Sequence, residues 1–143
     1  MPAAIVVEML VELFGQLIVG LATDAVQAGT AAAMNTLEER RARRRERALA
    51  RVDLLVLAAY HDHVITEAER GVLATACTAI LSKVDLDADV DELLARWADA
   101  RAALRSEADF EALVRTTAAR IERRDAKKVL EAVERLVAAD AHG

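Results

Sequence analysis

The chain is punctuated at regular intervals by residues that open helices and almost nowhere by residues that break them. Asn35 or Thr36, then Thr66, Asp87 or Asp89, Ser106 and Asp125 each stand just before a stretch with helical apolar spacing. There a side-chain oxygen can accept one of the orphaned first-turn N–H groups. These caps divide the chain into helices predicted from residue 37 or 48 to 60, over 67–82, from about 88 to 104, from 106 to about 123, and from 125 onward. Only one Pro and five Gly occur in 143 residues, and the strand-and-turn vocabulary of a sheet protein is missing. The expected fold is all-α, a compact bundle of short helices preceded by a long apolar amphipathic helix and an Arg-rich helix. The connections are short, so consecutive helices should be neighbours. The domain reading is residues 1–47 as a contact segment and 48–143 as a helical domain. Aromatics make up 3% of the chain, so the core must be Leu, Val, Ile and Ala, and a large ligand pocket is not expected.

The central joint is AAYHDHVITEAER, residues 58–70. Thr66 and Glu69 have the spacing of a capping box, in which the Thr hydroxyl accepts the N3 amide and the Glu side chain returns to the cap's own N–H. Val52, Leu55, Val56 and Ala59 form the apolar stripe before the turn. Val64 and Ile65 are expected to staple the turn to the core.

Residues 3–33 are the most apolar part. Between residues 3 and 22 lie twelve large apolar residues, but also Glu8, Glu12 and Gln16. Roughly −0.3 to −0.6 kcal/mol per apolar residue against about +2.5 to +3.5 per central carboxylate leaves membrane spanning near balance. No basic segment precedes the apolar run, which disfavours a cleavable signal peptide. At about 100° per residue, Glu8, Glu12 and Gln16 share a sector that Ile5, Met9, Leu13 and Val19 intrude upon. The opposite sector holds Val7, Leu10, Val11, Phe14, Leu17, Ile18 and Leu21. Such a helix needs an apolar partner: lipid, a second copy, or its own domain.

The net charge of −5 is unevenly distributed. Residues 38–51 carry seven Arg against three Glu, and Arg40, Arg44, Arg47 and Arg51 recur at i, i+4, i+7 and i+11 on one face. Behind an apolar segment this stripe fits lipid headgroups, at about 1 kcal/mol per Arg near an anionic surface. A solvated helix laced with i,i+4 Glu–Arg pairs is the single reading that fits the stripe best. Nucleic acid is disfavoured, because no aromatics interleave and the remaining chain is acidic. The lone Cys77 sits in an apolar helical pattern and reads as a buried thiol in a reducing compartment.

Familiar catalytic patterns are missing. Asp85, Asp87, Asp89 and Asp91 alternate like a Ca²⁺ loop, but Val90 stands where that loop requires Gly and Arg96 where it requires Glu. His61, Asp62 and His63 are adjacent, and neighbours on a helix point about 100° apart. No serine-elbow or phosphate-loop motif occurs. Trp97 reads as a core or groove residue.

The segment LAAYHDHVITEAERGVLATACTAIL resembles the tellurite-resistance TerB-like family, in which an apolar helix ends in Ala-x-x-Asp-Gly before an Ile/Val turn and an acidic helix opening. Asp62, Ile65, Glu67 and Glu69 supply these features, with His63 in place of the Gly, and VLEAVERLVAADAHG resembles the family's second helix-to-Asp repeat. The likeness covers about residues 48–143. It implies an all-helical domain of two related halves whose acidic turns form a divalent-metal site, such as one for Ca²⁺, with Asp62, Glu69 and Asp140 as ligands and Glu67 a weaker one. It also includes domains held behind an N-terminal membrane segment.

The expected function is therefore a non-enzymatic stress-response or assembly adaptor on the cytoplasmic face of a membrane. Leu10, Phe14, Leu17, Ile18, Leu21, Arg40, Arg44, Arg47 and Arg51 would contact the membrane or a partner. The alternative is a soluble homo-oligomeric scaffold assembled through the N-terminal helix.

Overall fold

A computed structural model describes residues 3–19, 36–61, 64–87 and 89–142, with the side chains of residues 3, 16–19 and 140–142 outside that description. Among the described residues there are six helices and no strand: α1 (Ala3–Val19), α2 (Leu37–Ala59), α3 (Glu67–Ser82), α4 (Val90–Ala102), α5 (Glu107–Ala118) and α6 (Arg123–His142). Helix α2 is central and packs on α3, α4, α5 and α6, while α1 lies chiefly on α6 and touches α5.

The sequence of α2 explains its position. Residues 52–59, VDLLVLAA, are buried without interruption, because a helix apolar on every side but for Asp53 can satisfy that surface only when enclosed on every side. Each fully buried Leu there contributes roughly 1.5–3 kcal/mol relative to an exposed one. The first three turns of the same helix are charged or small apart from Leu37, and every residue from 36 to 46 is exposed. Both ends of the 60–67 joint obey local rules. Thr66 Oγ1 accepts the Glu69 amide at 3.1 Å, and Glu69 Oε1 accepts the Thr66 amide at 3.0 Å. A second capping box, Thr36 with Glu39, opens α2.

Helix α1 belongs to the same core as the rest. Val6, Met9, Leu10 and Phe14 join the cluster built from α2, α3, α5 and α6. Leu10 and Phe14, expected to touch a membrane or partner, are fully buried within the chain. The expected inward face is rotated: Met9 is buried although it was placed with the polar residues, and Val11, placed inward, is 46% exposed. The reason is that α1 faces α6 through the Val6–Leu10–Phe14 row, and Val11 falls off its edge.

Three further expectations change. The staple is Ile65 alone, since Val64 is 62% exposed while Ile65 packs against the core. Helix α5 stops at Ala118 instead of 123, because i→i+3 bonds from the Arg120 and Ile121 amides tighten the chain and turn Ile121 inward. Helix α6 begins at Arg123, so Asp125 is a first-turn residue and not a cap. At the end of α3, Leu86 N–H bonds to Leu81 O at 3.0 Å and Asp85 N–H to Ser82 O at 3.3 Å. This is a Schellman ending, with Asp85 in the left-handed position at φ 58°.

Candidate functional site

The acidic joint and the Arg stripe fare differently. Asp62 lies outside the described residues, as does the side chain of Asp140, whose backbone is in α6. Glu69 is 1% exposed and its Oε1 is committed to the cap. Its position thus has a structural explanation in the cap. Among the described residues, no three His, Cys, Asp or Glu gather as a metal would require. Glu67 is exposed.

The joint is instead closed by a cation. Arg101, on α4 and 3% exposed, donates Nε–H to the Tyr60 carbonyl at 3.1 Å and lies 4.2 Å from the centre of the Phe110 ring. A guanidinium at the C-terminal end of α2 meets the negative end of that helix's dipole and satisfies an orphaned carbonyl. Tyr60 returns the contact by donating its hydroxyl to the Leu94 carbonyl at 2.9 Å. Burial pushes the Tyr60 hydroxyl above the ordinary tyrosine range, with nearby Arg70 opposing the shift.

A second polar cluster lies inside the bundle. Asp53, 6% exposed, accepts from Arg96 Nη2 at 2.6 Å, Arg120 Nη1 at 2.9 Å and Trp97 Nε1 at 3.4 Å. The cluster ties α2 to α4 and to the α5–α6 turn. Its signal in the sequence was a single carboxylate inside the run VDLLVLAA. Cys77 is fully buried, and burial, then the Asp53 charge, pushes its thiol up to about 11. A thiol so protonated is a poor nucleophile at neutral pH.

The Arg stripe splits into two parts. Arg47 turns into the fold, donating Nε–H and Nη2–H to the two Asp125 oxygens at 3.2 and 3.0 Å, with Glu122 Oε2 at 3.1 Å. It is thus a clamp between α2 and α6 and not an open contact residue. Arg51 is half-buried beside it. Arg40 and Arg44 remain exposed, as do Arg41 and Arg45. Arg44 Nη2 donates to the Lys83 carbonyl at 3.4 Å, and a cleft of about 80 Å³ there is lined by Arg41, Arg44, Arg45, Lys83, Val84 and Asp85. Lys83, from the far end of α3, joins this group with no local spacing that links it to the stripe.

Leu17 and Ile18 lie in α1 with side chains outside the description, and Leu21 lies outside the described residues. Among the described residues no helix is long and apolar enough to cross a membrane. No protein-family model, no curated protein and no solved structure matches the chain.

Proposed function

We propose that this chain is a non-enzymatic helical adaptor of the TerB-like kind, docked on the anionic cytoplasmic face of a membrane through the first three turns of α2. The observation that carries this reading is that residues 36–46 put no side chain into the core, although the same helix is enclosed completely from residue 52. A basic segment held away from an otherwise acidic fold is placed for an anionic surface. Arg40, Arg41, Arg44 and Arg45 at about 1 kcal/mol each amount to a weak, reversible attachment near the millimolar range. It should be screened by salt. The TerB-like part of the reading draws on the all-helical bundle and the capped 58–70 joint, and its divalent ion depends on Asp62 and Asp140.

Flotation of the full chain tests the proposal. Recovery with vesicles rich in anionic phospholipid is expected at low salt, with loss at high salt and in Arg40→Glu/Arg44→Glu. Recovery wholly in the soluble fraction at low salt would refute it. A rise in melting temperature with Ca²⁺ that disappears in Asp62→Asn tests the ion in the same preparation. The homo-oligomeric scaffold is favoured by one observation, the exposure of Ile5 and Val11 on the outer face of α1. Sedimentation of a monomer at all accessible concentrations would exclude it.

A further inference from the structure

The seam between α3 and α6 is an unfilled trough. Gly71, Thr75 and Ala79 recur at i+4 along α3, facing Ala132 of α6, and their short side chains leave a cavity of about 530 Å³. A Cβ added at Gly71 meets nothing within 4 Å. Thr75 spends its hydroxyl on the Gly71 carbonyl at 3.1 Å, so it asks nothing polar of an occupant. A second cavity of about 160 Å³ shares Ala76, Ala79, Ala132 and Arg135 with the first and adds an apolar floor of Leu55, Ile80 and Val129. The scarcity of aromatics, which argued against any large pocket, works the other way here: small residues at the seam leave it open.

Charge is segregated along this trough. One end is apolar and has Arg135 at its edge, while the other gathers Arg51, Lys83 and Lys128. No Asp or Glu lines either cavity, in a chain whose net charge is −5. Among the described residues none of these four cations has a salt-bridge partner. Lys83 continues into the cleft of Arg41, Arg44 and Arg45. From Gly71 to Lys83 the trough runs about 18 Å at 1.5 Å per residue.

We propose that this trough holds the hydrocarbon chain of an anionic lipid, with the head group at Arg51, Lys83 and Lys128. An apolar channel of this volume with a few convergent cations at one end is the arrangement that an anionic amphiphile requires. This deepens the membrane reading and rests on it for the source of the lipid. It explains how a weakly attached basic helix gains a lasting hold, since a buried alkyl chain adds binding that salt does not screen.

The test uses the full chain without vesicles, titrated with lysophosphatidylglycerol and with lysophosphatidylcholine of the same chain length, each below its micelle concentration. The anionic lipid should bind at least tenfold more tightly. Gly71→Leu/Ala79→Leu fills the trough from two exposed positions without touching the core, and should weaken both lipids at least tenfold. Lys83→Glu/Lys128→Glu should bring the anionic lipid down to the level of the zwitterionic one. Equal binding of the two lipids, unchanged binding by the filled variant, or preference for an acidic amphipathic peptide over the lysolipid would each overturn the proposal. Lost flotation with lysolipid binding intact overturns surface docking alone, and the reverse result overturns the trough alone.

Discussion

Asp53 is where the loss of one carboxylate should be felt in three elements at once, α2, α4 and the α5–α6 turn. Its carboxylate is buried in the most enclosed part of α2, yet two of its partners reach it from outside, with Arg96 and Arg120 side chains 60% and 40% exposed. That asymmetry makes the outcome depend on which side is removed. In Asp53→Ala three hydrogen bonds to the carboxylate disappear, but both guanidinium groups regain water, so the net cost should be about 2 kcal/mol. Arg96→Ala leaves Arg120 and Trp97 on the carboxylate and should cost about 1 kcal/mol or less, and Arg120→Ala should behave alike. Arg96→Ala/Arg120→Ala strands a buried charge with only the Trp97 N–H, and should cost about 3–5 kcal/mol, more than the singles added together. Urea unfolding followed by the fluorescence of Trp97, the chain's one tryptophan, measures all four variants in a probe that touches the cluster. A double variant additive to within about 0.5 kcal/mol would refute the argument, since it would mean that Asp53 is solvated and not held.

Three other outcomes follow from the same geometry. Cys77, with its thiol raised from 9.0 to about 11, holds its proton in the folded chain at pH values where the unfolded chain has lost it. Its contribution is complete below pH 9 and disappears as pH rises through 11, by no more than about 2–3 kcal/mol; Cys77→Ala should flatten that part of the stability–pH curve, and an unchanged slope would contradict burial of the thiol. Asp85→Gly should raise stability by about 0.5–1 kcal/mol by relieving a left-handed conformation that costs an L-residue about 1–2 kcal/mol, seen as a higher urea midpoint with the same slope. Arg47→Lys should cost about 1 kcal/mol because an ammonium cannot make the paired bonds to Asp125, while Arg40→Lys should leave thermal unfolding unmoved; equal effects at the two positions would mean that Arg47 is as free as Arg40.

What could be read from the sequence was what local chemistry decides. The 67–82 helix was placed at both ends because Thr66, Glu69 and an apolar stripe are near neighbours in the chain, and Ser106 and Asp89 cap their helices as their spacing requires. Long-range ion pairs had no such signature. Arg47 and Asp125 are 78 residues apart, and each looked complete in its own helix, one as part of a stripe and the other as a cap. Asp53 left a clue: a lone carboxylate within eight enclosed residues implies a buried cation partner. Which arginines would supply it depends on how α4 and the α5–α6 turn cross α2, and local spacing does not encode that.

The Arg stripe joins these two kinds of information. Its i, i+4, i+7, i+11 spacing fixes one face of one helix, but the helix passes from solvent into the bundle along its length. The same periodic pattern therefore serves two purposes: Arg40 and Arg44 stay outside, Arg47 becomes a clamp, and Arg51 borders the trough. The transition falls where Ala48 and Ala50 first enter the core. In the proposed docking, the outer arginines alone would supply only a weak, salt-screened attachment. A stable hold on an anionic surface must draw on apolar area as well, and α1 cannot offer its Leu10 and Phe14, which are already spent on α6. The cleft of Arg41, Arg44 and Arg45 meets the α3–α6 trough at Lys83, so the proposed surface attachment and the proposed lipid site share one face of the fold.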